Sequence, residues 1–319
     1  QCCHAAMQAA GRDGQRAQFL HRRSRVARHL ARQPEVRMST WSHTLHDELA
    51  HLRATARALP AAPGVYIFHG DSEHLPLYIG KSVNLRSRVL AHLRNPDEAR
   101  LLRQTRHISH QRTAGEIGAL LLESRLIKSR QPLLNQRLRR SRQLCAWHAG
   151  NDARLRLVDT REREFATTPG LYGLYGTRRA AVQHLAELAD AHRLCLVTLG
   201  VEPAVGHRAC LRAMIGRCAG ACRGDETPQS HWQRTLAALE AMRVAIWPFE
   251  GAVGIVERFG TEQQIHVVHR WRHVQTVADA SQADATTPID PAFDVDAYRI
   301  LCGPILTGQA ELVSLPTPG

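Results

Sequence analysis

The sequence predicts an α/β (α+β) protein: a small mixed-sheet domain with helices, a cysteine-cluster segment, and a small α+β C-terminal domain. Three observations carry this reading. Strand-like and helical runs alternate in the order β-β-α-α-β-α over residues 60–145. Four cysteines crowd into residues 195–222. Period-two alternation then returns at 252–257 and 264–268. With 319 residues, 44% of them hydrophobic, the chain is long enough to build more than one core.

Residues 1–37 hold eight arginines against Asp13 and Glu35 and read as a basic leader, upstream or disordered sequence ahead of a body that starts at Met38. A helical lead-in covers 38–59, with Leu45, Leu49 and Leu52 spaced by four and three, and Pro60 and Pro63 close it. Gly64–Phe68 and Leu77–Gly80 are apolar, β-prone runs. The polar loop between them, rich in Gly, Asp and Ser, makes them a hairpin or adjacent strands. Ser82–Leu93 reads as a helix stopped by Asn95-Pro96. A second helix spans about 96–105, a third strand 107–111, and a longer helix 113–129. Residues 146–225 form a linker carrying the cysteines, with a strand near 168–176 and a helix over 179–191. Residues 226–319 open with a helix over 230–246 and end in the alternating runs, a segment of unassigned role placed to dock a partner.

Charge narrows the function. There are 42 Lys+Arg against 29 Asp+Glu, a net +13 and a pI near 10.1. Lysine occurs only at Lys81 and Lys128, so 40 of the 42 are arginine. Arginine grips phosphate through a planar two-pronged fork, and a nucleic acid is the expected partner. No run approaches 18 apolar residues, which argues against a membrane span, and a cytoplasmic protein is expected.

The candidate chemistry lies in 60–145. Tyr66 and Tyr78 fall on the two neighbouring strands. Gly80 and Lys81 end the second, where a glycine permits close approach. Arg88 and His92, four residues apart, share a helix face. Glu123 ends the run Ala-Leu-Leu-Leu, and a carboxylate among leucines needs a cation, a metal or hydrogen bonds. Asn135 follows the helix. Arg125, Lys128, Arg130, Arg137, Arg139 and Arg140 form an acid-free basic stretch suited to a DNA backbone.

Gly64-Val-Tyr66, Tyr78-Ile-Gly-Lys81, Arg88, Glu123 and Asn135 together resemble the GIY-YIG nuclease domain, in the form found in the UvrC family of bacterial excision-repair nucleases. The resemblance covers roughly residues 58–225 and matches the short members with one nuclease centre. It implies metal-dependent phosphodiester hydrolysis. Glu123 holds one Mg²⁺ or Mn²⁺, Arg88 stabilises the charged phosphate, and Tyr66 or Tyr78 orients or deprotonates the water. His92 is an auxiliary base or phosphate contact, Lys81 a cation that lowers the tyrosine pKa, and Asn135 a brace. It also implies incision of damaged double-stranded DNA on the 3′ side of the lesion, after UvrA and UvrB have loaded. A non-catalytic DNA-binding or scaffold protein of the same fold is the alternative, and the intact residue set argues against it.

Cys195, Cys210, Cys218 and Cys222 are separated by 14, 7 and 3 residues. Four clustered thiolates suit a tetrahedral zinc or a [4Fe–4S] cluster, and spacing alone does not choose between them. The resemblance favours iron–sulfur, because the matching cysteine segment of UvrC-like proteins is associated with such a cluster. Cys145 and Cys302 stand apart from the group.

Overall fold

The computed structural model describes residues 49–72, 75–135, 143–204, 209–283 and 293–315. The chain divides into two compact units. Of the described residues, one comprises 49–135 together with 249–283 and 294–315, and the other 143–248 with residue 293.

In the first unit, strands β1 (Gly64–His69), β2 (Pro76–Ser82) and β3 (His107–Arg112) form a sheet of order β2-β1-β3. Where the sequence pattern suggests a mixed sheet, both pairings are antiparallel. The polar loop folds β2 back beside β1, and the helical crossover returns β3 along the other side. All six β1 residues are buried, because helices cover both faces of the sheet. Strand alternation sorts its side chains. Tyr66 and Phe68 pack with helix α1 (Ala50–Ala58) and helix α2 (Leu85–His92) through Leu52, Leu85 and Val89. Val65 and Ile67 pack on the opposite side with Leu126 and Ile127. Those last two belong to helix α4 (Glu116–Arg130).

Asn84 starts α2 by accepting a hydrogen bond from the Ser87 N–H. The helix expected over 96–105 is split. Asn95 caps a 3₁₀ turn, Pro96–Glu98, and helix α3 (Ala99–Gln104) follows. The α4 helix ends at Gln131, which takes a left-handed conformation, φ 48°.

Strands β7 (Val253–Phe259), β8 (Glu262–His269), β9 (Arg272–Val277) and β10 (Glu311–Ser314) form an antiparallel sheet of order β10-β7-β8-β9 in the same unit, with helix α8 (Val295–Leu306).

The second unit holds strands β4 (Cys145–Ala149), β5 (Leu155–Asp159) and β6 (Leu171–Tyr175) in order β5-β4-β6. Its helices are α5 (Arg178–Ala191), the single turn α6 (Leu211–Met214) and α7 (Pro228–Leu239). Helix α7 is shorter than the 230–246 expected from spacing. Leu239 is fully buried with Leu185 and Leu194, and Trp232 and Leu236 pack against the same core. The helix therefore folds with the segment before it, and residue 226 is not a structural boundary.

Among the described residues, no helix is long and apolar enough to cross a membrane.

Candidate active site

The nuclease candidates converge where the ends of β1 and β2 meet α2 and α4. Tyr66 is 1% exposed, and its ring lies 6.3 Å from that of Tyr78. Gly80 is opposite Tyr66 in the β1–β2 register, and a β-carbon at Gly80 would collide with the Tyr66 hydroxyl and the Tyr78 ring. Burial pushes the Tyr66 phenol well above its ordinary range. Neighbouring Tyr78 adds to this, and a hydrogen bond from Arg88 opposes it. Tyr78 is raised too, by burial first and by Glu123 second. A free phenolate is therefore costly at either position, and deprotonation needs a partner that takes the proton.

Tyr66 has such a partner. Its hydroxyl lies 2.6 Å from His92 Nε2, and His92 Nδ1 contacts the carboxylate of Glu98. His92 is 4% exposed, so the pair is enclosed. Arg88 projects from the same helix, and its positive charge acts on the Tyr66 and Tyr78 oxygens. The cation beside the tyrosines is thus Arg88. Lys81, expected in that role, pairs its ammonium with Glu116 at 2.5 Å.

Glu123 Oε1 accepts the backbone N–H of Lys81 at 3.0 Å. Burial pushes its carboxyl upward, and the Lys81 N–H only partly offsets this. No arginine or lysine among the described residues forms an ion pair with it. A half-buried carboxylate with no ion-pair partner among the described residues, beside two phenols and a guanidinium, has the donor chemistry for a hard divalent cation. Asn135 clasps the Ile79 backbone, its Oδ1 accepting from the N–H and its Nδ2 donating to the C=O, both at 2.9 Å.

Three family models match consecutive stretches: the UvrC-like GIY-YIG domain over residues 62–136, the UvrC/Cho excinuclease middle domain over 144–241, and the excinuclease Cho C-terminal domain over 252–319. Excinuclease Cho of Salmonella typhimurium is 48% identical over 286 residues, 90% of this chain and 97% of that protein. The chain belongs to the excinuclease Cho family. Excinuclease Cho of Escherichia coli K12 is 49% identical over 271 residues, 85% of this chain and 92% of the other. UvrABC system protein C of Synechococcus elongatus is 36% identical over 190 residues, 56% of this chain and 28% of that one. Among solved structures, the GIY-YIG N-terminal endonuclease domain of UvrC from Thermotoga maritima, bound to magnesium, is 30% identical. It covers 27% of this chain and 97% of that domain, with a TM-score of 0.25.

This Cho-family chain is an endonuclease of the GIY-YIG type. Tyr66, Tyr78, Arg88, His92, Glu123 and Asn135 all lie in or beside one site. The basic stretch is divided. Arg125 and Arg130 are exposed, whereas Lys128 is 19% exposed and held by Asp294 at 2.7 Å and Asp296 at 3.0 Å. An ammonium already neutralised by two carboxylates has a structural job, so Lys128 leaves the expected phosphate track. Arg137, Arg139 and Arg140 lie outside the described residues, as does the 1–37 leader. Sequence reading missed Glu98. Its one available signal was an acid in the turn opened by Asn95-Pro96, which had read only as a helix stop.

In the second unit, the sulfurs of Cys195, Cys210, Cys218 and Cys222 all lie within 4.8 Å of one another. Backbone N–H groups of Ala213 and Gly220 point at the sulfurs of Cys210 and Cys218, both at 3.3 Å. The N–H of Cys195 donates to His231 Nε2 at 2.9 Å, which ties the group to α7. Four converging thiols supported by backbone donors fit a thiolate-bound metal. Cys145 and Cys302 are buried elsewhere.

Proposed function

We propose that this chain is a nucleotide-excision-repair endonuclease. It hydrolyses one phosphodiester on the 3′ side of a lesion in double-stranded DNA, in the bacterial cytoplasm, after UvrA and UvrB have marked the site. The observation that supports this most is the meeting of Glu123, Arg88, Tyr66, Tyr78 and His92 at one sheet end in a chain of the excinuclease Cho family.

Glu123 is the residue to hold one Mg²⁺ or Mn²⁺, which when bound supplies positive charge to the scissile phosphate. Arg88 faces the same place and stabilises the charge that grows on the phosphate oxygens. Tyr66 is the better placed of the two phenols to take the proton of the attacking water, because His92 Nε2 stands ready for its own proton. Tyr78 lines the approach. Asn135 fixes Ile79, next to Tyr78. Arg125 and Arg130 are exposed on and at the end of α4, where a DNA backbone could lie against them.

The four cysteines are the residues to hold either a [4Fe–4S] cluster or a zinc ion. A cluster spreads its thiolates over separate irons, while one tetrahedral ion draws all four close, and sulfurs within 4.8 Å suit the smaller occupant at least as well.

The test is a nicking assay on an end-labelled duplex with one bulky lesion, run with UvrA, UvrB, ATP and Mg²⁺. The expected result is a single cut 3′ of the lesion that needs UvrB and disappears in Glu123→Ala. Intact wild-type protein that binds the complex without cutting would overturn it in favour of a scaffold.

A further inference from the structure

We infer that Glu98 is a positioning residue of the nuclease centre, which holds His92 in the one tautomer able to accept the Tyr66 proton. The inference rests on the proposed reading of Tyr66 and His92 and extends it to a residue that the nuclease motif does not contain.

The tautomer follows from the two faces of the His92 ring. Nδ1 faces the Glu98 carboxylate, which can only accept, so in the neutral ring the proton sits on Nδ1. Nε2 then carries no proton and stands as an acceptor 2.6 Å from the Tyr66 hydroxyl. Three side chains thus agree on one hydrogen-bond direction, Tyr66 to His92 to Glu98. Glu98 is itself held, because Asn95 Nδ2 donates to its other oxygen at 3.1 Å while Asn95 Oδ1 caps the turn at Asp97. The Asn95-Pro96-Asp97-Glu98 turn is therefore an aiming device as well as the end of a helix.

In the chemical step the Tyr66 O–H bond breaks and an Nε2–H bond forms on His92. The water proton passes to the Tyr66 oxygen as the water oxygen bonds phosphorus. One P–O ester bond breaks, and the leaving oxygen takes a proton from solvent. The imidazolium that forms is stabilised by Glu98 and afterwards returns its proton to solvent. The groups that face His92 are Tyr66 from β1, Tyr78 from β2, Arg88 from its own helix and Glu98 from the turn.

The test is single-turnover nicking of the lesion duplex with UvrA, UvrB and Mg²⁺, comparing wild type, Glu98→Gln, Glu98→Asp, His92→Ala, Glu98→Gln combined with His92→Ala, Tyr66→Phe and Glu123→Ala. Glu98→Gln keeps the size of the side chain but removes the charge that favours Nδ1–H. It is expected to cut about 10²-fold slower, the scale of one positioned proton acceptor. DNA retention and the unfolding temperature should be unchanged. Glu98→Asp should recover part of the rate, and Glu98→Gln in a His92→Ala background should cost nothing more. A Glu98→Gln loss that is just as large in the His92→Ala background, with no recovery in Glu98→Asp, would show Glu98 to be merely structural and overturn the inference. So would a wild-type rate in Glu98→Gln while Tyr66→Phe and Glu123→Ala are inactive. Normal cutting by Tyr66→Phe and Glu123→Ala would instead overturn the reading of the site itself.

Discussion

Glu257, on β7 of the C-terminal sheet, accepts the backbone N–H of Gly118 at 2.7 Å. Its second oxygen takes the N–H of Ile117 at 2.8 Å, and His266 Nε2 stands 3.0 Å away. A carboxylate so placed satisfies donors that the first turn of α4 leaves open and lies at the positive end of the helix dipole. The approach needs a glycine, since a β-carbon at Gly118 would come within 2.6 Å of His266 Cε1. Helix α4 carries Glu123 little more than a turn further on, so the C-terminal sheet helps set the direction of the proposed metal ligand.

Glu257→Gln is expected to lower stability by about 1–3 kcal/mol near neutral pH, the range for an unmet buried hydrogen-bonding group. Burial alone would raise the Glu257 carboxyl, but hydrogen bonds from His266, Gly118 and Ile117 hold it below its ordinary value. A depressed pKa stabilises the fold above the unfolded value, and that share is lost as pH falls through the folded pKa. The gap between wild type and Glu257→Gln in urea unfolding should therefore be full at pH 6 and close as pH falls below about 4.

Gly80→Ala places a methyl against the Tyr66 hydroxyl and the Tyr78 ring. A displacement of about an ångström at a reacting group typically costs about 10² in rate. The expected outcome is a folded protein by circular dichroism that nicks about 10²-fold slower than wild type.

Lys128→Ala and Arg125→Ala should separate. Lys128 is paired with Asp294 and Asp296, and its removal leaves two carboxylates together at the start of α8. Thermal unfolding is expected at lower temperature, with little change in the salt dependence of DNA binding. Arg125 is exposed, and its loss should reduce the slope of log Kd against log salt by about 1 while stability holds.

Cys218→Ser should release the metal bound by purified protein, whether iron or zinc, as read by elemental analysis and visible absorbance. The unit built on residues 142–248 should also unfold more easily, because a metal-thiolate site contributes folding free energy where one is bound.

The nuclease segment was legible in the sequence because its strands are apolar and its turns carry Gly, Pro and Asn. Period-two alternation alone puts Tyr66 and Val65 on opposite faces. The second unit was harder to read. β4 and β5 are five residues each, and the outward side chains His148 and Arg156 interrupt any apolar pattern. Helix α8, which the sequence reading did not assign, has Pro304 inside it. In the site, motif residues could be placed from spacing. The partners that decide their chemistry could not, because Glu98 and Glu116 reach His92 and Lys81 only through the fold. Lys128 shows the reverse case, a basic residue in a basic run whose neighbours arrive from 166 residues away.

Among the described residues, strand β2 is the rim of its sheet, with β1 on one side and no strand on the other. Four of its outward-facing backbone groups are nonetheless occupied. The Leu77 carbonyl takes the Leu134 N–H, Ile79 is clasped at both ends by Asn135, and the Lys81 N–H is taken by Glu123. An open rim of this kind recruits strands from other molecules. Here side chains proposed to serve the reaction also close that rim. Substitutions at Asn135 and Glu123 should therefore be scored for self-association as well as for lost cutting, since either change uncovers backbone that another copy of the chain could pair with.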